Sequence, residues 1–299
     1  MLPQAFIDRL AAQFGVSGKE AILRAFAVDR NPTFRTNTLK ATDEKVMEVL
    51  REARAQFARS KEIPHAFSVR NMTDDEVLAL PLAKEGNIYV QGLTSMLPPL
   101  ILAPNPNETV LDLCAAPGSK TSQLAALMGN AGKIVACEEN SVRYQKLMNT
   151  IRVQGASCVD ARNIDATLLH HEMPEVFDKI LADVPCSAEG RIRLGDKRSY
   201  GFWSEKNIVA HAKLQRRLLR SAVACLKPGG TLVYSTCTLA PEENEGMVDW
   251  ILAEYPFMKA EPVALPFSPI TQHKNGSVTL LPSAVAEGFF VAKLRKVAK

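Results

Sequence analysis

The sequence predicts an α/β fold in which a doubly wound, mainly parallel sheet follows a smaller N-terminal α/β unit. Three observations carry this prediction. From about residue 88 onward, short apolar runs alternate with helix-length stretches, the pattern of consecutive βα units. Two of the runs, 179–182 and 231–234, are nearly continuous in apolar character, as strands buried on both faces are. Chemically capable residues then follow those runs directly: Asp183-Val184-Pro185-Cys186-Ser187 after the first and Ser235-Thr236-Cys237-Thr238 after the second. In open α/β sheets, ligands bind beyond the carboxyl ends of the strands.

The elements follow in order. Residues 4–28 read as two short helices, the second capped by Ser17 with Glu20 completing a capping box. Asn31-Pro32 breaks that pattern, and 34–39 alternates like a strand. Thr42 opens a helix expected to run to about Phe57, and 65–69 reads as a further strand. This block, about 1–80, is expected to be a separate small domain, with 81–299 forming the larger one. In the larger unit, strands are expected at 110–113, 133–137, 158–164, 179–182, 231–234 and 288–294. Helices are expected at 121–128, 141–154, 208–225 and 242–254.

Composition is that of an ordinary soluble chain: 299 residues, 46% hydrophobic and 23% charged, with a net charge of +4. No apolar run approaches the roughly 18 residues that span a membrane. The start, Met1-Leu2-Pro3-Gln4, lacks the pattern of a secretory signal. A cytoplasmic protein is therefore expected, with a monomer as the default. The six cysteines contain no C-x-x-C pair, so neither a zinc site nor a disulfide framework is expected. Charge is unevenly spread. Nine basic residues (Arg191, Arg193, Lys197, Arg198, Lys206, Lys213, Arg216, Arg217 and Arg220) and two acids (Asp196 and Glu205) occupy 191–220. A solvated helix face explains this, but a phosphate-contacting surface is favoured because the segment follows the Cys186 strand end. Trp203 within it either packs the segment down or stacks on a base.

A third strand end carries Asp112-Leu113-Cys114-Ala115-Ala116-Pro117-Gly118-Ser119-Lys120, which joins a strand to a helix. Gly118 permits close backbone approach to a ligand, and the following helix N-terminus favours anionic groups. It is neither a dinucleotide fingerprint nor a P-loop. Glu138, near the end of the next strand, is placed to accept from ribose hydroxyls, and Asp165, after the third, from an adenine amino group. Two thiols at neighbouring strand ends, one beside a carboxylate, suggest covalent chemistry with a nucleophile and a second proton-handling group.

With these residues in view, the chain resembles the Sun-type (Fmu-like) RNA cytosine-5 methyltransferases from about residue 31 to the end. The resemblance rests on Arg35-Thr36-Asn37, Gln91-Gly92-Leu93-Thr94-Ser95, the Asp112–Lys120 loop, Asp183-Val184-Pro185-Cys186-Ser187, Ser235-Thr236-Cys237-Thr238-Leu239 and Pro241-Glu242-Glu243-Asn244. The two-cysteine arrangement is its most specific part. It implies a Rossmann-like methyltransferase fold, S-adenosylmethionine as cofactor and RNA, transfer or ribosomal, as partner. It further implies that Cys114, Ala115, Ala116, Pro117, Gly118, Ser119 and Lys120 line the methionine end. Glu138 and Arg143 would serve the ribose side, Asp165 the adenine, and Asp183 the space between methyl donor and base. Cys237 would be the nucleophile, with Cys186 aiding release and Asp183 and Lys120 assisting; Lys120 and helix N-termini would favour the thiolate. Val184 departs from the pattern, standing where a small residue or proline is common. Arg35 and Asn37 are expected to bind RNA or to wall the site. The absence of a C-terminal RNA-binding domain leans the expectation toward transfer RNA.

Other classes fit less well. A DNA cytosine-5 methyltransferase would attack with the Pro-Cys cysteine and carry a large recognition insert. An amino-group methyltransferase needs Asp/Asn-Pro-Pro-aromatic after the strand. A non-catalytic RNA-binding assembly factor keeping the fold is the remaining alternative; intact Cys186, Cys237, Asp183 and Lys120 argue against it.

Overall fold

A computed structural model describes residues 2–298. Helix α1 (Gln4–Phe26) leads into an N-terminal unit of β1 (Thr33–Thr36), α2 (Asp43–Glu52), β2 (Phe57–Arg59), β3 (Ala66–Val69), α3 (Asp74–Ala79), α4 (Pro81–Lys84) and β4 (Ile88–Val90). The four strands form an antiparallel sheet in the order β2-β3-β1-β4. Phe34 and Phe67, paired in the β1–β3 register, stack with centroids 5.6 Å apart beneath α2, whose Val46 and Leu50 are buried against them. Burying each such side chain is worth about 1.5–3 kcal/mol. The sheet takes in β4, beyond the residue-80 boundary read from the sequence.

Two local expectations change. The two N-terminal helices form as expected, parted at Gly15, whose φ of 69° breaks the helical path, but the cap of the second differs. Neither Ser17 nor Glu20 makes a side-chain hydrogen bond there, so the capping box does not form. Helix α2 is capped by Thr42 as expected but ends at Glu52. Arg54 turns left-handed (φ 54°), and Phe57 enters a strand because its ring packs edge-on against Phe67 at 6.2 Å. Packing on a neighbouring strand overrides the helical periodicity of 42–57.

The larger unit is built from α5 (Leu97–Leu102), β5 (Thr109–Asp112), α6 (Ser119–Leu127), β6 (Lys133–Cys137), α7 (Ser141–Gln154), β7 (Val159–Arg162), β8 (Phe177–Asp183), α8 (Glu205–Cys225), β9 (Leu226–Thr236), α9 (Glu245–Glu254) and four further strands. These are β10 (Met258–Glu261), β11 (Ile270–Gln272), β12 (Val278–Leu280) and β13 (Phe289–Lys296). Strands β9-β8-β5-β6-β7 are parallel, and β13 extends them antiparallel to β9, followed by β12 and β11, with β10 also on β13. This is the Rossmann-like methyltransferase fold. Three of the antiparallel strands, β10 to β12, go unnoticed in sequence: they are short, and their burial does not alternate cleanly.

The strand order reverses between β5 and β8, which makes their carboxyl ends the topological switch point where such sheets open a crevice. The N-terminal unit is fastened beside that crevice by buried polar contacts. Asn37 Nδ2 donates to Gly86 O (2.9 Å) and to Gln154 O at the end of α7 (2.8 Å). Arg35, fully buried, donates to Ser119 O, Ser122 Oγ and Gln91 Oε1, with its guanidinium 5.4 Å above the Tyr89 ring. Both residues therefore join the two units rather than presenting a surface to RNA.

Candidate active site

The site begins with register. In the parallel β8–β9 pair Asp183 lies opposite Ser235, whose hydroxyl donates to Asp183 Oδ1 at 2.7 Å. The two chains leave the sheet side by side, and within three residues Cys186 and Cys237 meet with their sulfur atoms 3.3 Å apart. Neither is in a disulfide; all six cysteines are free thiols. The thiol–thiol hydrogen bond and the nearby Arg191 guanidinium pull Cys237 below the ordinary thiol value against the cost of burial. That same hydrogen bond, with burial, pushes Cys186 well above it. Of the pair, Cys237 is therefore the more acidic thiol and Cys186 the less acidic one.

A buried network holds the two loops together. Ser187 donates through N and Oγ to Glu243, which also accepts from Gln215 Nε2 at 2.8 Å, while Gln215 donates to Pro185 O at 2.9 Å. The Ser187 and Thr238 hydroxyls are 2.6 Å apart, and Thr238 Oγ1 reaches Glu189, which accepts from Trp203 Nε1 at 2.7 Å. Burial raises Glu243 to about 7. Trp203 thus packs the basic segment down, its ring edge-on to Phe6 at 5.2 Å.

Asp183 is held from the other side. Its Oδ2 is 2.7 Å from Lys120 Nζ, and Lys120 also donates to Ser95 Oγ at 2.8 Å. Lys120, expected to favour the Cys237 thiolate, is committed to Asp183 and Ser95 instead; Arg191 provides the positive field at Cys237. Asp112, buried at the end of β5, accepts from Thr121 Oγ1 at 2.7 Å and is raised to about 6 by burial. Gly118 has φ of +106° at the start of α6, and a Cβ there would lie 2.8 Å from Thr150, so the loop closes only with glycine.

Two cavities meet at this end of the sheet. One, of about 450 Å³, is lined by Cys237, Asp183, Val184, Lys120, Ser119, Pro117, Ala116, Ala115, Cys114 and Asp112, with Arg30, Arg191, Arg193 and Glu287 on the far edge. The other, of about 560 Å³, is lined by Cys114, Glu138, Arg143, Asp165, Ile164, Thr167, Pro185 and Leu218. Cys114 and Arg143 belong to both. Glu138 is buried, accepts from Asn140 N at 2.9 Å and lies 3.3 Å from Arg143 Nη1, while Arg143 Nη2 donates to Ala116 O at 2.7 Å. Asp165 accepts from Thr167 N at 2.8 Å and lies 3.7 Å from Arg217. The apolar walls with two carboxylate acceptors at one end suit a nucleoside, whose hydroxyl and amino groups donate. Gly118 and Cys186 line neither cavity: the first faces Thr150, the second backs Cys237.

Sequence reading alone does not single out Ser95, Asp112, Glu243, Arg191 or Glu287. Ser95, Asp112 and Glu243 sit within motifs already quoted, and that was their signal. Arg191 is submerged in a basic run, and Glu287 carries no sequence signal at all. The rest of the basic run disperses: Arg198 pairs with Asp196 at 2.9 Å, and Arg216 and Arg220 lie over the Trp250 ring.

A solved structure of NSun6 from Pyrococcus horikoshii with SFG superposes with a TM-score of 0.87 at 25% identity, covering 99% of both chains. A methyltransferase homolog protein from the same organism superposes at 0.86 with 31% identity, covering 99% of this chain and 95% of that one. Ribosomal RNA small subunit methyltransferase F of Klebsiella pneumoniae (strain 342) is 40% identical over 308 residues, and that of Shewanella loihica 38% over 278. These alignments cover 99% and 89% of this chain but 64% and 57% of those proteins, so the chain spans less than two thirds of their length. S-adenosylmethionine is the cofactor of this fold. The model of the 16S rRNA methyltransferase RsmB/F family matches residues 99–295, and the chain belongs to that family, whose Sun-type motifs it carries.

Proposed function

We propose that this chain methylates carbon 5 of a cytosine in small-subunit ribosomal RNA through a covalent Cys237 adduct. The observation that carries the reading is the pair of thiols 3.3 Å apart, of which Cys237 lines a cavity that the Lys120–Asp183 pair also lines. The lean toward transfer RNA drawn from chain length gives way to ribosomal RNA, because the similar proteins just described are named for it.

Carbon 5 of cytosine is a poor nucleophile. Addition of the Cys237 thiolate to carbon 6 turns the ring into an enamine, and carbon 5 becomes electron-rich. Bound S-adenosylmethionine supplies a sulfonium methyl to that carbon. Asp183, fixed by Ser235 and Lys120, accepts from the exocyclic amine, and the Lys120 ammonium beside it offsets the negative charge that thiolate addition places on the ring. A water molecule takes the carbon 5 proton, the ring double bond re-forms as the carbon–sulfur bond breaks, and Cys237 leaves as thiolate. Cys186 then donates its S–H to the departing sulfur, which lies 3.3 Å from it in the free protein. On the cofactor side, the Cys114–Lys120 loop lines the methionine end, Glu138 accepts from the ribose with Arg143 holding it, and Asp165 accepts from the adenine amino group. The base must leave any duplex to reach this cavity. In this reading the N-terminal unit walls the cleft and extends its RNA-facing side.

The reading is tested by labelled methyl transfer from S-adenosylmethionine to purified ribosomal and transfer RNA from a host lacking the protein, with mapping of 5-methylcytosine. Label in ribosomal RNA that disappears with Cys237→Ala supports it; RNA binding with neither label nor adduct supports the assembly-factor alternative. Glu138→Ala should weaken S-adenosylmethionine binding roughly 10–100-fold by removing a charge-assisted hydrogen bond, read by calorimetry. An unchanged affinity would remove Glu138 from the ribose site.

The pH dependence follows from Cys237. Because its titration lies below the ordinary thiol value, adduct formation should reach its plateau at lower pH than an ordinary thiol would allow. In Cys186→Ala the donor that lowers Cys237 is gone, so the rising limb should move to higher pH. Rates of adduct formation across pH with both proteins check this; coincident profiles would mean that the thiol–thiol hydrogen bond does not set the titration.

A further inference from the structure

Three guanidinium groups from distant parts of the chain meet at the edge of the cavity facing Cys237. Arg30 comes from the segment after α1, and Arg191 and Arg193 from the turn after β8; all three line that cavity. The convergence is held by backbone. Leu194 N donates to Phe26 O at 3.0 Å, Gly190 N to Cys237 O at 2.9 Å and Gly288 N to Gly190 O at 2.9 Å. Glycine makes the last contact possible, since a Cβ on Gly190 would lie 2.3 Å from Gly288 O. Arg30 Nε donates to Ser283 O at 3.1 Å. The carboxylate that pairs here is Glu287, 3.4 Å from Arg191 and 4.0 Å from Arg193.

Three cations therefore share one anion, and Arg191 and Arg193 keep 60% and 53% of their side-chain surface open. Elsewhere in the basic run, Arg198, Arg216, Arg217 and Arg220 are spent on Asp196, Trp250, Asp165 and Thr167. At this edge of the cleft positive charge exceeds negative, and guanidinium forks match phosphate oxygens.

We propose that Arg30, Arg191 and Arg193 form a phosphate clamp that grips the RNA backbone flanking the nucleotide whose base enters toward Cys237. Glu287 holds Arg191 and Arg193 in place in the free protein and is released from them when phosphate binds. The clamp rests on the reading that RNA is the substrate. Backbone contacts position the strand without reading its sequence, so the clamp acts on RNA affinity and not on the choice of base.

The test is binding of the whole chain to a short single-stranded RNA carrying one cytosine, by fluorescence anisotropy across a salt series, beside methyl transfer to ribosomal RNA. Arg30→Ala and Arg193→Ala should each flatten the slope of log Kd against log salt by about 0.7–0.9, and KM for RNA should rise more than kcat falls. Arg198→Ala, on the same segment but paired with Asp196, should leave the slope unchanged. Glu287→Gln should act oppositely and tighten binding roughly two- to fivefold. Unchanged slopes in Arg30→Ala and Arg193→Ala, with methyl transfer by the unmodified protein intact, overturn the clamp and leave the catalytic reading standing. Slopes that fall as stated in a protein that transfers no methyl overturn the catalytic reading and leave the clamp. Absence of both salt-dependent RNA binding and methyl transfer overturns both.

Discussion

Cys237→Ala is expected to abolish methyl transfer to RNA, a loss of about 10⁴-fold or more, as when a covalent nucleophile is removed. It should also abolish covalent capture of RNA. Cys186→Ala is expected to differ in kind. Turnover should fall to background, yet a protein–RNA adduct stable to denaturation should accumulate, because addition by Cys237 needs no proton from Cys186 whereas departure of the thiolate uses it. Denaturing electrophoresis with labelled RNA separates the outcomes. The assignment rests on two independent features. Cys237 lies on the cavity wall, within the field of Arg191, while Cys186 sits behind it. An adduct with Cys237→Ala and none with Cys186→Ala would reverse the roles.

Asp183→Asn is expected to lower kcat by about 10²–10³, the usual cost of losing one preorganised electrostatic partner in a water-poor site. The carboxylate is held at both oxygens, by Ser235 at 2.7 Å and Lys120 at 2.7 Å, so asparagine replaces its shape but leaves Lys120 without a counter-charge. The companion Lys120→Met should cost a similar amount, and the double variant little more than either, because the two groups act as one unit. Steady-state kinetics on the four proteins completes the cycle. Additive losses would show that Asp183 and Lys120 act separately. The cytosine-over-uracil preference should narrow in Asp183→Asn, since a half-buried carboxylate built to accept from an amine is what rejects a carbonyl there.

The parallel half of the sheet was legible in the chain because strands buried on both faces are written as continuous apolar runs, and each was followed at once by its functional residues. Cys114, Glu138, Asp165, Asp183, Cys186 and Cys237 could be placed at strand ends without coordinates. The short strands β10 to β12 could not, because neither length nor alternation marks them and their pairing with β13 is decided by distant register. Helix α2 was overextended because local periodicity continues past Glu52, while the packing of Phe57 on Phe67 is not local.

By itself, the sequence determined the order of the parallel strands and the helices between them, the residue types at each of those strand ends and the family to which they belong. These are properties of neighbours in the chain, governed by periodicity and short motifs. Tertiary structure decided which of those residues touch. The 3.3 Å approach of Cys186 and Cys237, 51 positions apart, follows from Asp183 lying opposite Ser235. The capture of Lys120 by Asp183 and Ser95, the burial of Arg35 and Asn37 between the two units, and the meeting of Arg30, Arg191 and Glu287 are of the same kind. Each depends on how separate elements pack, and packing is set by complementary volume and sheet register across long separations, which no local pattern encodes.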